Sequence, residues 1–166
     1  MRIKGFVDED FVNYRKPAAF IGTSFCDWKC CIEQGLDTSV CQNAALANSK
    51  ILEMPAEEIF RRYIQNPITK AVVIGGLEPF LQFDELINLV QTFRKSGCMD
   101  DIVIYTGYYP QEIKQQLAEL ARYKNIIVKF GRFIPNQKPH YDPVLGIKLA
   151  SDNQFGRRLD DFEIEQ

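Results

Sequence analysis

The strongest constraint on the fold is a recurrence of strand and helix signals along the middle of the chain. Lys70-Ala71-Val72-Val73-Ile74-Gly75 is a short apolar run closed by glycine, which reads as a buried strand. Phe83, Leu86, Ile87, Val90 and Phe93 then recur at helical spacing, with Asp84 or a neighbour to cap the start and Gly97 just past the end. Residues 101–107 read as the next strand, Pro110 opens a helix with Ile113, Leu117 and Leu120 on one face, and residues 125–130 give a further strand. Upstream, residues 18–22 look like a strand, and Pro55 begins a helix with Ile59, Phe60, Tyr63 and Ile64 inside. Residues 2–7 read as an extra edge strand. A repeated βα order predicts a parallel sheet with helices packed against it. A full eight-unit barrel takes ~250 residues and rarely fewer than about 200, so a chain of 166 residues supplies only part of one. The expected fold is therefore α/β: a partial, open β/α barrel with a mainly parallel curved sheet, residues 1–166 forming a single domain.

Open sheets of this kind gather ligands beyond the carboxyl ends of their strands. Cys26, Gly75-Gly76 and Thr106-Gly107 each fall at that end of an expected strand, so residues distant in sequence meet at one sheet edge. Composition narrows the partners. The chain is 46% hydrophobic and 25% charged, enough apolar material for a real core. Twenty basic residues against 22 acidic ones leave a net charge of -2, with no excess of cations for nucleic acid or for a polybasic membrane anchor. No apolar run approaches the ~20 residues of a transmembrane helix, and the first residues lack a signal-peptide core. A cytoplasmic protein is expected.

The five cysteines stand at 26, 30, 31, 41 and 98. An odd count with four members in one short stretch does not suit a secreted disulfide scaffold; in a reducing compartment, clustered thiols bind metal or do chemistry. Thiolates suit iron–sulfur clusters or zinc. Three cysteines on a cubane leave one iron open, whereas structural zinc closes its site with four ligands, commonly from two separated CxxC pairs. This chain has no CxxC pair, and its single histidine, His140, lies far away in a proline-bounded loop and is assigned no role. A disulfide between the adjacent Cys30 and Cys31 would be strained. Cys98 reads as an ordinary structural thiol.

At these residues the chain resembles the radical S-adenosylmethionine superfamily. Cys26-x3-Cys30 is similar to the first half of its CxxxCxxC motif, although position 33 is Glu33. Cys41-Gln42-Asn43 is similar to the end of the motif in the activating proteins of anaerobic ribonucleotide reductase. The resemblance therefore implies a widened loop with Cys26, Cys30 and Cys41 as ligands; Cys31 in place of Cys30, or a carboxylate from Glu33, are the alternatives. Val73-Ile74-Gly75-Gly76-Leu77-Glu78-Pro79 resembles the GGEP-type turn with Leu77 added, and Ile104-Tyr105-Thr106-Gly107-Tyr108 resembles the YTGY strand end. Lys129-Phe130-Gly131-Arg132-Phe133 and Ser151-Asp152-Asn153-Gln154 are similar to the late DGxF and SSNQ segments, so the matches run in order from about Phe20 to Gln154.

The resemblance implies a [4Fe–4S] cluster that binds S-adenosylmethionine and cleaves it to a 5′-deoxyadenosyl radical. It implies an activase acting on a glycyl radical enzyme, anaerobic ribonucleotide reductase first, with electrons from a low-potential donor such as a flavodoxin. Gly75 and Gly76 would let the ligand approach the backbone, and Glu78 would bind its ammonium. Val40 would pack on the adenine, Thr106 would hydrogen-bond the ligand, and Asn153 would contact the ribose or carboxylate. Each has a plainer reading: a strand-to-helix turn, local packing, a cap on the Pro110 helix, and an ordinary turn. Trp28 shields the cluster or docks a partner. Two other functions stay open: a radical enzyme acting on a small molecule, and a zinc-stabilised binding module with Cys31 or Glu33 as fourth ligand. The acidic run at 160–165 reads as a solvated tail or a partner contact.

Overall fold

The computed structural model describes residues 1–160; beyond Asp160, the acidic run lies outside the described residues. The elements follow in the order β1 (Arg2–Asp10), β2 (Ala18–Thr23), α1 (Lys29–Ile32), α2 (Ala44–Ala47), β3 (Leu52–Glu53), α3 (Ala56–Ile64), β4 (Ala71–Gly75) and α4 (Phe83–Lys95). They continue with β5 (Asp101–Tyr105), α5 (Lys114–Leu120), β6 (Ile126–Phe130), β7 (His140–Asp142), β8 (Ile147–Leu149) and β9 (Phe155–Arg158).

Seven strands form one open, curved sheet in the order β3-β1-β2-β4-β5-β6-β9, not closed into a barrel. The centre, β2-β4-β5-β6, is parallel, as the βα repeat requires. The flanks are antiparallel: β1 runs against β2 and β3, and β9 against β6. The strand expected at 2–7 is thus longer than expected and is not the edge, because two residues of β3 pair outside it. The pairs Val72 with Ile102 and Ile102 with Ile126 carry one register across the centre.

Successive residues of the parallel strands face opposite sides, and both sides are covered, which is why these strands are apolar throughout. Val72, Ile74, Ile102, Ile104 and Val128 meet the helical layer, where Ile59 and Tyr63 of α3, Leu86, Val90 and Phe93 of α4 and Leu117 and Leu120 of α5 complete the main core. Val73, Val103 and Ile127 face the other way, against Tyr14, Leu145 and Leu149. That second cover comes from the β1–β2 connection and the β7–β8 hairpin, whose strands the sequence reading did not anticipate.

The helices differ from expectation in detail. α4 ends as foreseen: Cys98 N–H donates to the Phe93 carbonyl and Gly97 N–H to that of Arg94, a Schellman closure around Gly97 at φ 78°. Its start is not capped by Asp84; Glu78 instead caps the 3-10 turn Pro79–Gln82 that leads into it. Pro110 likewise opens a 3-10 turn, Pro110–Glu112, before α5. Ile64 is 54% exposed rather than inside.

Candidate functional site

A cavity of about 350 Å³ opens at the carboxyl ends of the parallel strands and extends over the sheet face opposite the helices. Its wall includes Cys26, which follows β2, and Cys30, Cys31 and Cys41 from the long connection between β2 and β3. Val40, Gly76, Glu78 and Thr106 line it as well. The remaining two residues named from sequence do not. Gly75 is buried at the end of β4, where an added Cβ would lie 2.8 Å from the Cβ of Tyr105, so the sheet leaves no room for a side chain there. Asn153 is turned to the protein: its Nδ2 donates to Tyr109 Oη and the Arg132 carbonyl, both at 2.9 Å, while the neighbouring Gln154 lines the cavity.

None of the five cysteines forms a disulfide. Trp28, left-handed at φ 59°, turns the chain so that its N–H donates to Cys26 Sγ at 3.3 Å. Asn43 N–H repeats the contact on Cys41 Sγ at 3.4 Å. These amides favour negative charge on the sulfurs. Burial acts in the opposite sense: it pushes the Cys26 thiol up to about 12 and raises Cys30 and Cys31 too. For Cys30 the nearby charges of Lys129 and Arg132 act against burial without overcoming it.

Among the described residues, no three side chains of His, Cys, Asp or Glu are gathered tightly enough for a single metal ion. Cys26, Cys30, Cys31 and Cys41 all line the cavity. An iron–sulfur cubane, whose ligands attach to separate irons, suits that donor set and the softness of sulfur. Glu33 is not in the cavity wall; both its oxygens accept from Arg132 at 2.8 Å.

Glu78 is 5% exposed and firmly held. Thr106 Oγ1 donates to it at 2.8 Å, Gly107 N–H at 3.0 Å and Phe80 N–H at 3.1 Å. Burial nevertheless raises its carboxyl to about 7, against the lowering effect of these donors. Thr106 therefore orients Glu78 and does not cap the Pro110 turn. Gly76 occupies the left-handed region at φ 83°, and any Cβ there would overlap Leu46 of α2. The turn needs glycine for backbone conformation and for the approach of the loop that carries Cys41.

One candidate site residue is not among those named from the sequence. Lys129 is 8% exposed, lines the cavity, and donates to the Gly131 carbonyl at 3.1 Å. Desolvation lowers it to about 8. The signal was available: a lysine interrupts the otherwise apolar Ile126–Phe130, on the alternation that faces away from the helices, and buried lysines are rare. Tyr108 also joins the wall, its hydroxyl donating to Asp27 Oδ2 at 2.6 Å and tying the end of β5 to the cysteine loop.

Comparison with known proteins adds one positive finding. Residues 23–154 match the family model described as "4Fe-4S single cluster domain", a span that starts just before the cysteine loop and ends just before β9. No curated protein and no solved structure matches the chain.

Proposed function

The chain belongs to the 4Fe-4S single cluster domain family, and on that footing we propose that it is a radical S-adenosylmethionine activase that installs a glycyl radical on a partner enzyme. Anaerobic ribonucleotide reductase is the partner that the Cys41-Gln42-Asn43 and Tyr105-Thr106-Gly107-Tyr108 motifs favour. The observation that carries the reading is the meeting of four cysteines, among them Cys26, Cys30 and Cys41, with one buried carboxylate and one buried ammonium on a single cavity wall.

Cys26, Cys30 and Cys41 would hold the [4Fe–4S] cluster and leave one iron without a protein ligand. When bound, the cluster and S-adenosylmethionine together supply one-electron cleavage of a carbon–sulfur bond and a radical able to remove a hydrogen atom. The protein's own residues do the rest. Glu78 and Lys129 face the cavity with opposite charges, which suits an amino acid's ammonium and carboxylate respectively. The three donors on Glu78 fix it before any ligand arrives, so little reorganisation accompanies binding. Val12 and Val40 line the same cavity yet are 74% and 44% exposed, which gives it an apolar mouth for a large protein substrate. A low-potential donor such as a flavodoxin supplies the electron.

Anaerobic reconstitution tests the reading. The expected product is a brown protein that converts S-adenosylmethionine to 5′-deoxyadenosine and methionine under reductant. With the reductase present, a glycine-centred signal should appear in electron spin resonance. A colourless protein that carries only zinc overturns the proposal; cleavage without a glycine signal overturns the partner.

A further inference from the structure

Arg132, just after β6, has 7% of its side chain exposed and uses all its donors. Its Nε and Nη2 donate to the two oxygens of Glu33 at 2.8 Å, and its Nη1 and Nη2 donate to those of Glu112 at 2.5 and 2.7 Å. The second Nη1 hydrogen goes to the Gly107 carbonyl at 2.9 Å. One guanidinium thus joins the cysteine loop, the turn before α5 and the end of β5.

The loop needs such a fastening. α1, which carries Cys30 and Cys31, has four residues, far below the ~12–15 at which an isolated helix becomes marginally stable. Its position depends on contacts from outside. Gln34 Nε2 extends the tie by donating to the Phe133 carbonyl at 2.9 Å, next to Arg132. Lys29 reaches Glu112 at 3.3 Å from the start of the helix. The sulfur that these ties locate is that of Cys30: it sits so close to Gly107 that a Cβ there would lie 3.1 Å from Sγ. Gly107 in turn donates to Glu78 and accepts from Arg132.

We propose that Arg132, through Glu33 and Glu112, is the positioning residue of the cysteine loop and holds Cys30 against Gly107 in register with Glu78. Glu33 stands where a CxxxCxxC spacing would place its third cysteine, and here that position serves as an anchor for the loop instead of a ligand. The inference rests on the cluster reading only for its consequence; the clasp itself consists of bonds among the chain's own residues.

The test follows alkylation of individual thiols in the metal-free full-length protein by mass spectrometry, with Cys98 as internal reference. Arg132→Lys keeps the charge but cannot span two carboxylates. Loss of these charge-assisted bonds should speed alkylation of Cys30 about tenfold relative to Cys98. Glu33→Gln should do the same more weakly, and the double variant should add little to Arg132→Lys. If Arg132→Lys does not fold, Glu33→Gln, whose carboxylate is half-exposed, carries the test. An unchanged Cys30 to Cys98 ratio in the folded variants overturns the proposal, and so does equal acceleration of both thiols, which marks general loosening. In reconstituted protein, the variants should keep their iron but shift the g-values of the reduced cluster. Failure of the unaltered protein to take up a cluster overturns the functional reading alone, because the alkylation ratio still decides the clasp.

Discussion

Thr106 Oγ1 and Glu78 Oε1 lie 2.8 Å apart, so the end of β5 holds the carboxylate that the turn after β4 presents. The same hydroxyl accepts from Tyr108 N–H at 3.0 Å, which fixes the direction of its own proton. Two neighbouring parallel strands therefore share one polar device at their carboxyl ends. This relationship predicts a pH signature. Glu78 is raised by burial to about 7 from an ordinary 4.5. A carboxyl raised on folding contributes stability that is fully present below 4.5 and is lost as pH rises through about 7. In metal-free protein, Glu78→Gln should remove that decline, and Thr106→Val should extend it to higher pH. Denaturant midpoints measured across this window check both slopes; a Glu78→Gln variant with an unaltered slope would refute the assignment.

Glu112 predicts the opposite sign at lower pH. Its hydrogen bonds from Arg132 hold it down to about 2 from 4.5. That contribution is present above 4.5 and disappears as pH falls towards 2. Glu112→Gln should be less stable near neutrality and should lose less stability on acidification. Thermal unfolding at pH 6 and pH 3 separates the two terms.

Cysteine replacement sorts ligands from bystanders. Cys26→Ser, Cys30→Ser and Cys41→Ser should each lose most of the iron and the visible absorbance on reconstitution. Cys98→Ser, remote from the cavity, should retain both. On the proposed ligand set Cys31→Ser should also retain them; iron loss from Cys31→Ser with retention in Cys30→Ser would exchange the two.

Lys129 predicts a divergence between stability and binding. A desolvated ammonium with one carbonyl partner is costly, so Lys129→Met should stabilise the metal-free protein by ~1 kcal/mol. The same change should weaken S-adenosylmethionine binding at least tenfold while iron content stays constant. Calorimetric titration of reconstituted protein and a melting curve of the metal-free protein measure the two effects separately.

Gly76 and Leu46 should be coupled. Gly76→Ala adds ~1–2 kcal/mol of left-handed backbone strain and a clash with Leu46. Leu46→Ala in the same chain should relieve the clash but not the strain, so the double variant should cost less than the sum of its parts. Strict additivity in chemical denaturation would show that α2 does not press on this turn.

Much of the architecture was present in local patterns. The apolar runs at 71–74, 102–104 and 126–128, the helical spacing from Phe83 to Phe93, and Gly97 each state a local preference that the fold keeps. Cys26, Gly76 and Thr106 could be brought to one edge from sequence because each ends a parallel strand, and parallel strands share a direction. Asn153 could not be located in this way, since it lies between two antiparallel strands in a segment whose path depends on what it covers.

Side-chain partners across the site were decided by the tertiary structure alone. Glu33 and Arg132 are 99 residues apart, and Asp27 and Tyr108 are 81 apart; neither pair leaves a periodic trace in the chain. Whether Glu33 was a ligand or an anchor depended on which way a short helix turned, and four residues carry too little propensity to choose. Lys129 shows the boundary between the two levels. Its sequence position already placed an ammonium within an apolar strand, but only the pairing of that strand with β5 and β9 and the cover on each face determined that the charge meets the same cavity as the thiols.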